Sequence, residues 1–476
     1  MYTSQQHVFK EDKRMLVVAK FGGSSVKDAK AFKQVAKIIE NNINIKLVIL
    51  SAVSGITDKL ITIFKLPSNK RKIICQDIVA IHQNIIEELG LNSCDTNKIL
   101  KPIINELFFL SKFATTDYHL DQLLAIGERL STIIITELLK SNYKKAIFYD
   151  ARELIITDKN FGYATPRVKD IKLQCFDKII PKLKSDDHII ITQGFIGGTR
   201  EGLSTTLGRG GSDYSAALFA EAINANLLEI YTDVKGVYTG NPNLISNAKL
   251  IPYLSYHDMA VLSKFGTKVL HPATIIPCKR MNIPILIKCT FNYKEGGTLI
   301  KNRKSTINYS IKAIALLQNQ FLITLNRRNN LVLNKIYKIL KNYNVKDQLT
   351  IQDKKSINIV IDKTKFYTYN TDIYTQKKFF KSLQLIPQIN IEKDLALLTL
   401  IGKNFIKMSD ILQNLIKYMN FPIRILYNQE KFPSISLLVQ SDYAQILLEQ
   451  THKTFFELKE EELFSVVRSN NGDIDI

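Results

Sequence analysis

Two glycine-rich turns in the chain carry charged side chains of the kinds that handle phosphate and carboxylate groups. The first is Lys20-Phe21-Gly22-Gly23-Ser24, and the second, Leu207 to Asp213, contains three glycines around Arg209. Glycine lets backbone N–H groups approach phosphate oxygens, and the N-terminus of a following helix favours negative charge. A lysine supplies mobile positive charge to a phosphoryl group, and a guanidinium can grip a carboxylate with two hydrogen bonds. The pattern indicates a site for a phosphate and an acid.

Three further segments place polar side chains beside predicted strands and helices. Glu128 follows the apolar run Leu123–Ile126 and would need a cationic partner, for which an ammonium group is suitable. The segment Tyr231–Tyr238 is a strand end followed by a turn, where side chains could meet a nucleotide, although a plain surface turn explains this segment alone at least as well. The segment Phe265–Pro272 offers Lys268 as a second phosphate contact.

Each motif also has a purely structural interpretation. The first turn matches neither a Walker A motif nor G-x-G-x-x-G, and a tight turn with a surface lysine explains it equally well. Ser212 or Asp213 would cap the following helix, and an isolated glutamate or lysine is commonly solvated. His271, beside Pro272, is expected to be structural rather than a general base.

Composition excludes several classes of protein. The 476 residues are 45% hydrophobic, which predicts a folded chain of about three domains. No apolar run approaches the length of a membrane span, and the N-terminus lacks a secretory pattern, so we expect a cytoplasmic protein without a membrane partner. The five cysteines form no C-x-x-C pair, so neither disulfides nor a zinc site is expected. The net charge of +21 is spread evenly along the chain among acidic residues, which does not indicate nucleic-acid binding.

The first 300 residues have the pattern of an α/β domain with a mainly parallel sheet. Short apolar runs typical of buried strands alternate with helical segments, and the glycine turns follow such runs. We place the strands at Met15–Ala19, Lys46–Leu50, Ala146–Tyr149, Ile189–Gln193 and Leu228–Thr232. Ligands of parallel sheets bind at the carboxyl ends of the strands, where these turns lie.

After residue 308 the pattern changes to two successive β-α-β-β-α units, which are typical of small ferredoxin-like α+β modules. The first opens with strands predicted at Ser310–Leu316 and Phe321–Leu325, and the second with a strand at Leu395–Ile401. The predicted organisation is a catalytic domain over 15–300, modules over 308–392 and 393–458, and a tail over 459–476.

The motifs occur together in an order that resembles the aspartokinase family, which has the amino-acid kinase fold. The resemblance covers roughly residues 15–458, and the two C-terminal modules resemble ACT domains, as in the single-function, lysine-sensitive class. It rests on the segments at 20–26, 48–57, 127–131, 191–197, 205–214, 232–238 and 265–274.

The resemblance implies transfer of the γ-phosphoryl group of ATP to the side-chain carboxylate of L-aspartate. This reaction begins lysine (diaminopimelate), threonine and methionine synthesis. Because a carboxylate is already a nucleophile, no general base is needed, and positioned positive charge suffices. By similarity, Lys20 lies along the transferring phosphate, the Gly22–Gly23–Ser24 backbone holds its oxygens, and Asp213 orients the lysines. Arg209 and Glu128 then bind the α-carboxylate and the ammonium of aspartate.

The resemblance also assigns supporting contacts. Ser51 and Thr57 help to seat the amino acid. The nucleotide is lined by Thr232, Asp233, Tyr238, Lys268 and Val269. Mg²⁺ arrives bridging the ATP phosphates, with no dedicated protein cage. The ACT-like modules are expected to form a homodimer interface, since exposed sheet edges need covering.

The chain departs from the family in two places. Asn241-Pro242-Asn243 stands where the family usually has Asp-Pro-Arg, which removes a nucleotide contact. In the first module the effector stretch, 345–356, contains Lys354 and Lys355, which would repel a cationic effector, so feedback by lysine is predicted to be weak, altered or absent.

Two other functions remain open at this stage. One is an amino-acid kinase acting on glutamate, acetylglutamate or a nucleoside monophosphate, although those enzymes lack tandem ACT-like modules. The other is a catalytically weak or inactive regulatory homologue, for which the two departures are the support. The intact Lys20, Glu128, Arg209 and Asp213 favour an active aspartokinase.

Overall fold

A computed structural model describes most of the chain. The described residues are 15–91, 93–142, 145–183, 188–266, 269–302, 310–326, 330–343, 345, 347–353, 355–363, 373–403, 421–429 and 434–457. They divide into two compact units. Of the described residues, the first unit contains 15–237, 252–256 and 269–302. The second unit contains 238–251, 257–266 and those from 310 to 457.

The first unit is built on an eight-stranded sheet. Its strands, in chain order, are β1 (Val17–Phe21), β2 (Ile45–Leu50), β3 (Ala146–Phe148), β5 (Ile189–Gln193), β8 (Leu227–Thr232), β9 (Tyr253–Leu254), β10 (Ile285–Cys289) and β11 (Thr298–Ile300). The spatial order is β3-β5-β2-β1-β8-β10-β11-β9. The six strands from β3 to β10 in this order are parallel to their neighbours, and only β10 and β11 pair antiparallel. The predicted α/β class with a mainly parallel sheet is confirmed.

Apart from Lys20 and Lys46, the central strands β1 and β2 are apolar because both faces are covered. All five residues of β1 are buried, as are five of the six in β2. The helices of this unit are α1 (Ala29–Asn41), α2 (Ile56–Lys65), α3 (Ser68–Leu89), α4 (Ser93–Phe113), α5 (Asp117–Asn142), α6 (Val168–Gln174), α7 (Ile180–Leu183), α8 (Gly211–Ala222) and α10 (Pro272–Met281). Helix α5 is buried through most of its length, which makes it a central support of the unit.

A separate three-stranded sheet lies within the first unit. It consists of β4 (Ile156–Thr157), β6 (Ile196–Thr199) and β7 (Ser204–Thr206), in the order β4-β6-β7. Strand β7 leads directly into the second glycine-rich turn. Sequence analysis did not predict this sheet, because strands of two to four residues are too short to show a periodic pattern.

The second unit contains a six-stranded antiparallel sheet in the order β13-β14-β12-β15-β17-β16. Its elements are α9 (Tyr256–Phe265), β12 (Ser310–Asn326), α11 (Asn330–Asn342), β13 (Asp347–Gln352), β14 (Ser356–Asp362), α12 (Ile373–Gln384), β15 (Ile389–Lys403), β16 (Ile423–Gln429), β17 (Ser434–Gln440) and the helix Ala444–His452. In the second module the sequence predicts the first helix at 406–419, and this segment lies outside the described residues, as does Lys354 of the effector stretch. The predicted module boundaries stay predictions.

Strands β12 and β15 are longer than predicted, and each contributes to two hydrophobic cores. One core includes Ile314 and Leu398, and the other includes Ile323 on the far half of β12. The two strands pair along 310–325, with register shifts near Gln320. Asn319 and Asp394 have positive φ values of 59° and 56°, so each strand bulges where the sequence reads as a polar break. We predicted two separate strands at the first of these breaks, and that was wrong.

No helix among the described residues has both the length and the apolar character required to cross a bilayer.

Helix α1, which begins shortly after the first glycine turn, is capped by a side chain, and mutation can test this cap. Asp28 is the N-cap of α1, and its Oδ1 accepts a hydrogen bond of 2.8 Å from the Ala31 N–H. We predict that Asp28→Ala lowers the free energy of unfolding by about 1 kcal/mol, because a helix N–H loses its acceptor. Urea denaturation measures the change. Asp28→Ser should restore most of it and the exposed Lys30→Ala should cost little, whereas equal losses in all three variants would contradict a capping role.

Candidate active site

Five neighbouring parallel strands of the first unit end at one edge of the sheet, and the backbone continues to pair just beyond them. The Gly22 N–H donates to the Tyr231 carbonyl at 3.2 Å, and the Ser51 N–H donates to the Phe21 carbonyl at 3.1 Å. On either side, the Gly194 N–H donates to Leu50 and the Thr290 N–H to Thr232, at 2.8 and 2.9 Å. The first glycine turn therefore lies in the middle of a row of fixed strand ends.

Lys20 and Asp213 meet at this edge. The Lys20 Nζ lies 2.6 Å from Oδ1 of Asp213, and the two side chains are only 10% and 15% exposed. Lys20 is the fourth residue of β1, and Asp213 lies in the first turn of α8. A partly buried ammonium and carboxylate are each costly without the other, so the pair holds both side chains in place. The proximity that the sequence analysis required is therefore observed.

The glycines of the first turn allow the surrounding backbone to come close. A Cβ atom on Gly23 would lie 3.0 Å from the Ala52 carbonyl oxygen, and one on Gly22 would lie 3.4 Å from the Lys20 Nζ. A short 3₁₀ helix follows over Gly23–Val26, in which the Ser25 hydroxyl lies 2.6 Å from that of Thr290. Side chains at the two glycines would reduce the space in front of the lysine.

The second glycine turn joins β7 to α8 and presents Arg209. Gly208 and Gly210 have φ values of 74° and 75°, which a residue with a Cβ rarely adopts. A Cβ on Gly210 would come within 2.3 Å of the Cβ of His271. The Arg209 side chain is exposed, and no carboxylate pairs with its guanidinium among the residues that the structure describes. His271 caps α10 by accepting a hydrogen bond from the Ala273 N–H, which is the structural position expected for it.

Glu128 lies in the buried middle of α5 and is 3% exposed. Burial raises the pKa of its carboxyl from 4.5 to about 8, although hydrogen bonds from the backbone, including that of Ala52, act in the opposite direction. Its Oε2 is buried and has no hydrogen-bond partner among the described residues. A buried carboxyl group with an unsatisfied oxygen favours a cation that carries its own hydrogen-bond donors.

The remaining predicted site residues have different surroundings. Ser51 directly follows β2 and Thr57 lies in the first turn of α2, and both are partly exposed. Thr232 ends β8, its hydroxyl donating to Oδ1 of the exposed Asp233 at 2.9 Å. Val269 belongs to the first unit, whereas Tyr238 opens the second unit and pairs with Leu250. Lys268 lies outside the described residues.

One buried acid of this region was not singled out from the sequence. Asp121 of α5 is fully buried and accepts hydrogen bonds from Gly162 and from Thr206. Its signal was weak, since an isolated aspartate near the start of a helix is usually solvated. Its position seven residues before Glu128, among apolar residues, was the one available indication that it faces inward.

The arrangement suits phosphoryl transfer to an acid. The glycine turn and Lys20 provide hydrogen-bond donors and positive charge for phosphate oxygens, and the sheet edge keeps them in fixed positions. The first unit also holds the buried carboxyl group of Glu128, whose Oε2 has no partner among the described residues, and the exposed guanidinium of Arg209. These are groups that the ammonium and the carboxylate of an α-amino acid can bind. Among the described residues no group of three His, Cys, Asp or Glu side chains is placed to hold a metal ion.

The fold and these residues define a class of small-molecule kinases. The chain belongs to the amino acid kinase family, whose model matches residues 15–289. Within that family it belongs with the aspartokinases. It is 33% identical to the lysine-sensitive aspartokinase 3 of Escherichia coli over 451 residues, covering 93% of this chain and 99% of the relative. It is 29% identical to the aspartokinase of Chlamydia pneumoniae, over 93% of this chain and 98% of that one.

Solved structures agree with the sequence relatives. The chain matches E. coli aspartokinase III in complex with aspartate and ADP, in the R-state, with a TM-score of 0.82 and 31% identity. The match covers 93% of this chain and 100% of the solved one. The T-state structure of the same enzyme, in complex with lysine and aspartate, matches with a TM-score of 0.77. The predicted family and fold are confirmed.

The raised pKa of Glu128 predicts a pH dependence of stability. Between the ordinary pKa of 4.5 and about 8, the unfolded chain is ionised while the folded one keeps its proton. The folded state binds more protons in this window, so its stability falls as pH rises, by up to about 1.4 kcal/mol per pH unit. Glu128→Gln cannot ionise, so its stability relative to wild type should increase from pH 5 to pH 8. Urea denaturation across that range measures the difference, and parallel pH profiles would contradict it.

Proposed function

We propose that the chain transfers the γ-phosphoryl group of ATP to the side-chain carboxylate of L-aspartate and releases 4-phospho-L-aspartate and ADP. As an aspartate kinase it catalyses the entry step to lysine, threonine and methionine synthesis. The observation that carries the proposal is the Lys20–Asp213 pair at the edge of the sheet. The chain that contains this pair matches, over nearly its full length, the structure of an aspartokinase that has aspartate and ADP bound.

The chemical step requires little from the protein beyond placement and charge. One carboxylate oxygen of aspartate attacks the γ-phosphorus, and the bond from that phosphorus to the β,γ-bridging oxygen breaks. The electron pair leaves with ADP. Since the attacking oxygen is already ionised at neutral pH, no proton is removed from it. Negative charge spreads over the transferring group, and this is the charge that the Lys20 Nζ and the turn N–H groups stabilise.

Asp213 acts on the lysine rather than on the substrate. Its carboxylate lies 2.6 Å from the Lys20 Nζ, so it holds the ammonium at the sheet edge when no phosphate is present. It accepts no proton in the reaction. Arriving phosphate oxygens take over part of this interaction, which keeps the lysine charged and oriented throughout.

The amino acid is bound by its two backbone charges. The exposed guanidinium of Arg209 binds the α-carboxylate in two-pronged fashion, and the buried Glu128 receives the ammonium. The ammonium would satisfy the unpartnered Oε2 and lower the pKa of Glu128, so that the carboxyl ionises when substrate binds. Ser51 and Thr57 seat the substrate from the neighbouring turn.

The nucleotide is held mainly by its phosphates. Gly22, Gly23 and Ser24 cradle them beside Lys20, and Thr232 and Asp233 line the nucleoside from the end of β8. We assign Tyr238, Lys268 and Val269 to the same nucleotide. Mg²⁺ enters with ATP and supplies further charge neutralisation, with the phosphates as its principal ligands.

The second unit is proposed to form a homodimer through its ACT-type modules. The six-stranded sheet ends in β13 on one side and β16 on the other. Strands at sheet edges present backbone groups that a second copy of the sheet can pair with or cover.

An assay that traps the acyl phosphate tests the activity. With ATP, Mg²⁺ and hydroxylamine, aspartate should give the hydroxamate, whereas glutamate at the same concentration should give little. Hydroxamate formed from glutamate in preference to aspartate would show that aspartate is not the preferred substrate. No hydroxamate from any acid, in folded protein, would support the inactive homologue.

Replacing Lys20 tests the catalytic assignment. Lys20→Met should lower kcat by roughly 10²–10³, because one donor to the transferring group is lost. The variant also leaves Asp213 buried without its partner, so we predict that Lys20→Met/Asp213→Asn regains stability but not activity. Lys27→Met, at an exposed lysine in the same turn region, is the matched control. Full activity of Lys20→Met would move the chemistry elsewhere.

A further inference from the structure

Asp121 is a fully buried acid whose side chain accepts hydrogen bonds from a turn residue and from the end of a short strand, and none of the roles assigned so far uses it. It lies in the second turn of α5 and has no exposed surface. Its Oδ2 accepts from the Gly162 and Thr206 N–H groups, both at 2.9 Å, and its Oδ1 accepts from the Thr206 hydroxyl at 2.7 Å. One carboxylate therefore ties two separate chain segments to one helix.

The first segment leads to Arg209. Thr206 is the last residue of β7, and Arg209 follows three residues later in the glycine turn. The two bonds from Thr206 fix both its backbone and its side chain, so the direction in which the chain leaves β7 is set by Asp121. Beyond Thr206, the Leu207 N–H donates to the Phe195 carbonyl at 2.9 Å.

The second segment supports the same turn from the other side. Tyr163, next to Gly162, occupies the space where a Cβ on Gly208 would lie, with its Cδ1 2.6 Å from that position. The Ala164 N–H donates to the Thr206 carbonyl at 2.9 Å. By holding Gly162, Asp121 also holds the aromatic ring against the residue that precedes Arg209.

The helix that carries Asp121 also carries Glu128. The two residues are seven positions apart, close to two turns, so they lie on the same face about 10 Å from each other along the axis. Burial raises the pKa of Asp121 to about 6, and Asp117 adds to the rise, while the three hydrogen bonds act against it. The carboxylate form has only acceptors, which matches the three donors around it.

We propose that Asp121 is a positioning residue that sets the distance between Arg209 and Glu128, and so determines affinity for the amino-acid substrate but not for the nucleotide. The inference rests on the proposed function, because it takes these two residues as the groups that bind the ends of aspartate. A rigid link between one binding group and the helix that bears the other keeps their spacing fixed. Errors of about 1 Å in such spacing can cost roughly 10²-fold in rate.

Steady-state kinetics of four variants tests the proposal. Asp121→Leu keeps the branched shape of the side chain and removes every acceptor, and it should raise the KM for aspartate by about ten- to a hundred-fold while the KM for ATP changes less than about two-fold. Thr206→Val removes only the hydroxyl and should act in the same direction with a smaller effect. Asp121→Asn should remain near wild type, since its carbonyl can accept from both N–H groups and its amide can donate to the threonine hydroxyl. Arg209→Ala sets the scale for complete loss of the carboxylate contact.

A matched control separates positioning from general destabilisation. Glu221 is also buried in a helix of this unit, where Arg280 and Lys172 pair with it. Glu221→Met should lower thermal stability but leave the KM for aspartate unchanged. Equal increases in both KM values for Asp121→Leu, or an unchanged KM for aspartate in a folded variant, would overturn the proposal.

Hydrogen exchange gives a readout that does not depend on activity. Asp121→Leu should accelerate exchange at 160–165 and 206–211, whereas Glu221→Met should not. If wild type fails to phosphorylate aspartate, the proposed function is wrong. The exchange data still test whether Asp121 holds the two segments to α5. If wild type is active and exchange in the two segments is unaffected, the link itself is wrong.

Discussion

The ion pair between Lys20 and Asp213 is the interaction on which the rest of the site depends. It joins the central strand to the start of α8, and neither partner is well solvated. Such a pair is stable only when both charges are held close, so the elements that carry them must approach the same point. Glycines make this approach possible. A Cβ on Gly194, which follows β5, would lie 2.8 Å from the Cβ of Ser212 and would push α8 away from the sheet edge.

The part of the site assigned to the amino acid differs, since its two groups have no ion-pair partner in the part of the chain that the structure describes. Glu128 is buried without a partner for Oε2, and the guanidinium of Arg209 has no carboxylate partner among the described residues. Burial of Glu128 disfavours its charged form, which is the cause of its raised pKa, whereas the exposed guanidinium is solvated. A ligand with an ammonium and a carboxylate would give each of the two groups a partner. The phosphate side is therefore held together in advance, whereas the substrate side is completed by the substrate.

Much of this was predictable from local sequence. Short apolar runs followed by turns located β1, β2, β5 and β8, because strands covered on both faces need continuous hydrophobic residues. The meeting of Lys20 and Asp213 came from the resemblance of whole motifs to a family, since nothing in either segment alone specifies a contact across 193 positions. The role of Asp121 was not predicted because its hydrogen-bond donors lie in two segments that are distant from it in the sequence. The small sheet β4-β6-β7 was not predicted because its strands are too short to show a periodic pattern of apolar residues.

The second unit shows a different limit of sequence patterns. Polar residues at Gln318–Gln320 and at Lys393–Asp394 indicate strand ends, yet in each case the chain bulges and continues as the same strand. The bulges turn the two halves of β12 and β15 so that each half faces its own hydrophobic core. A division of the chain after residue 392 would cut β15 between its halves. Each of the two central strands thus contributes to both cores. The core that contains Ile323 is built from residues between 321 and 391, whereas the core that contains Ile314 also takes residues that follow that cut, such as Leu398.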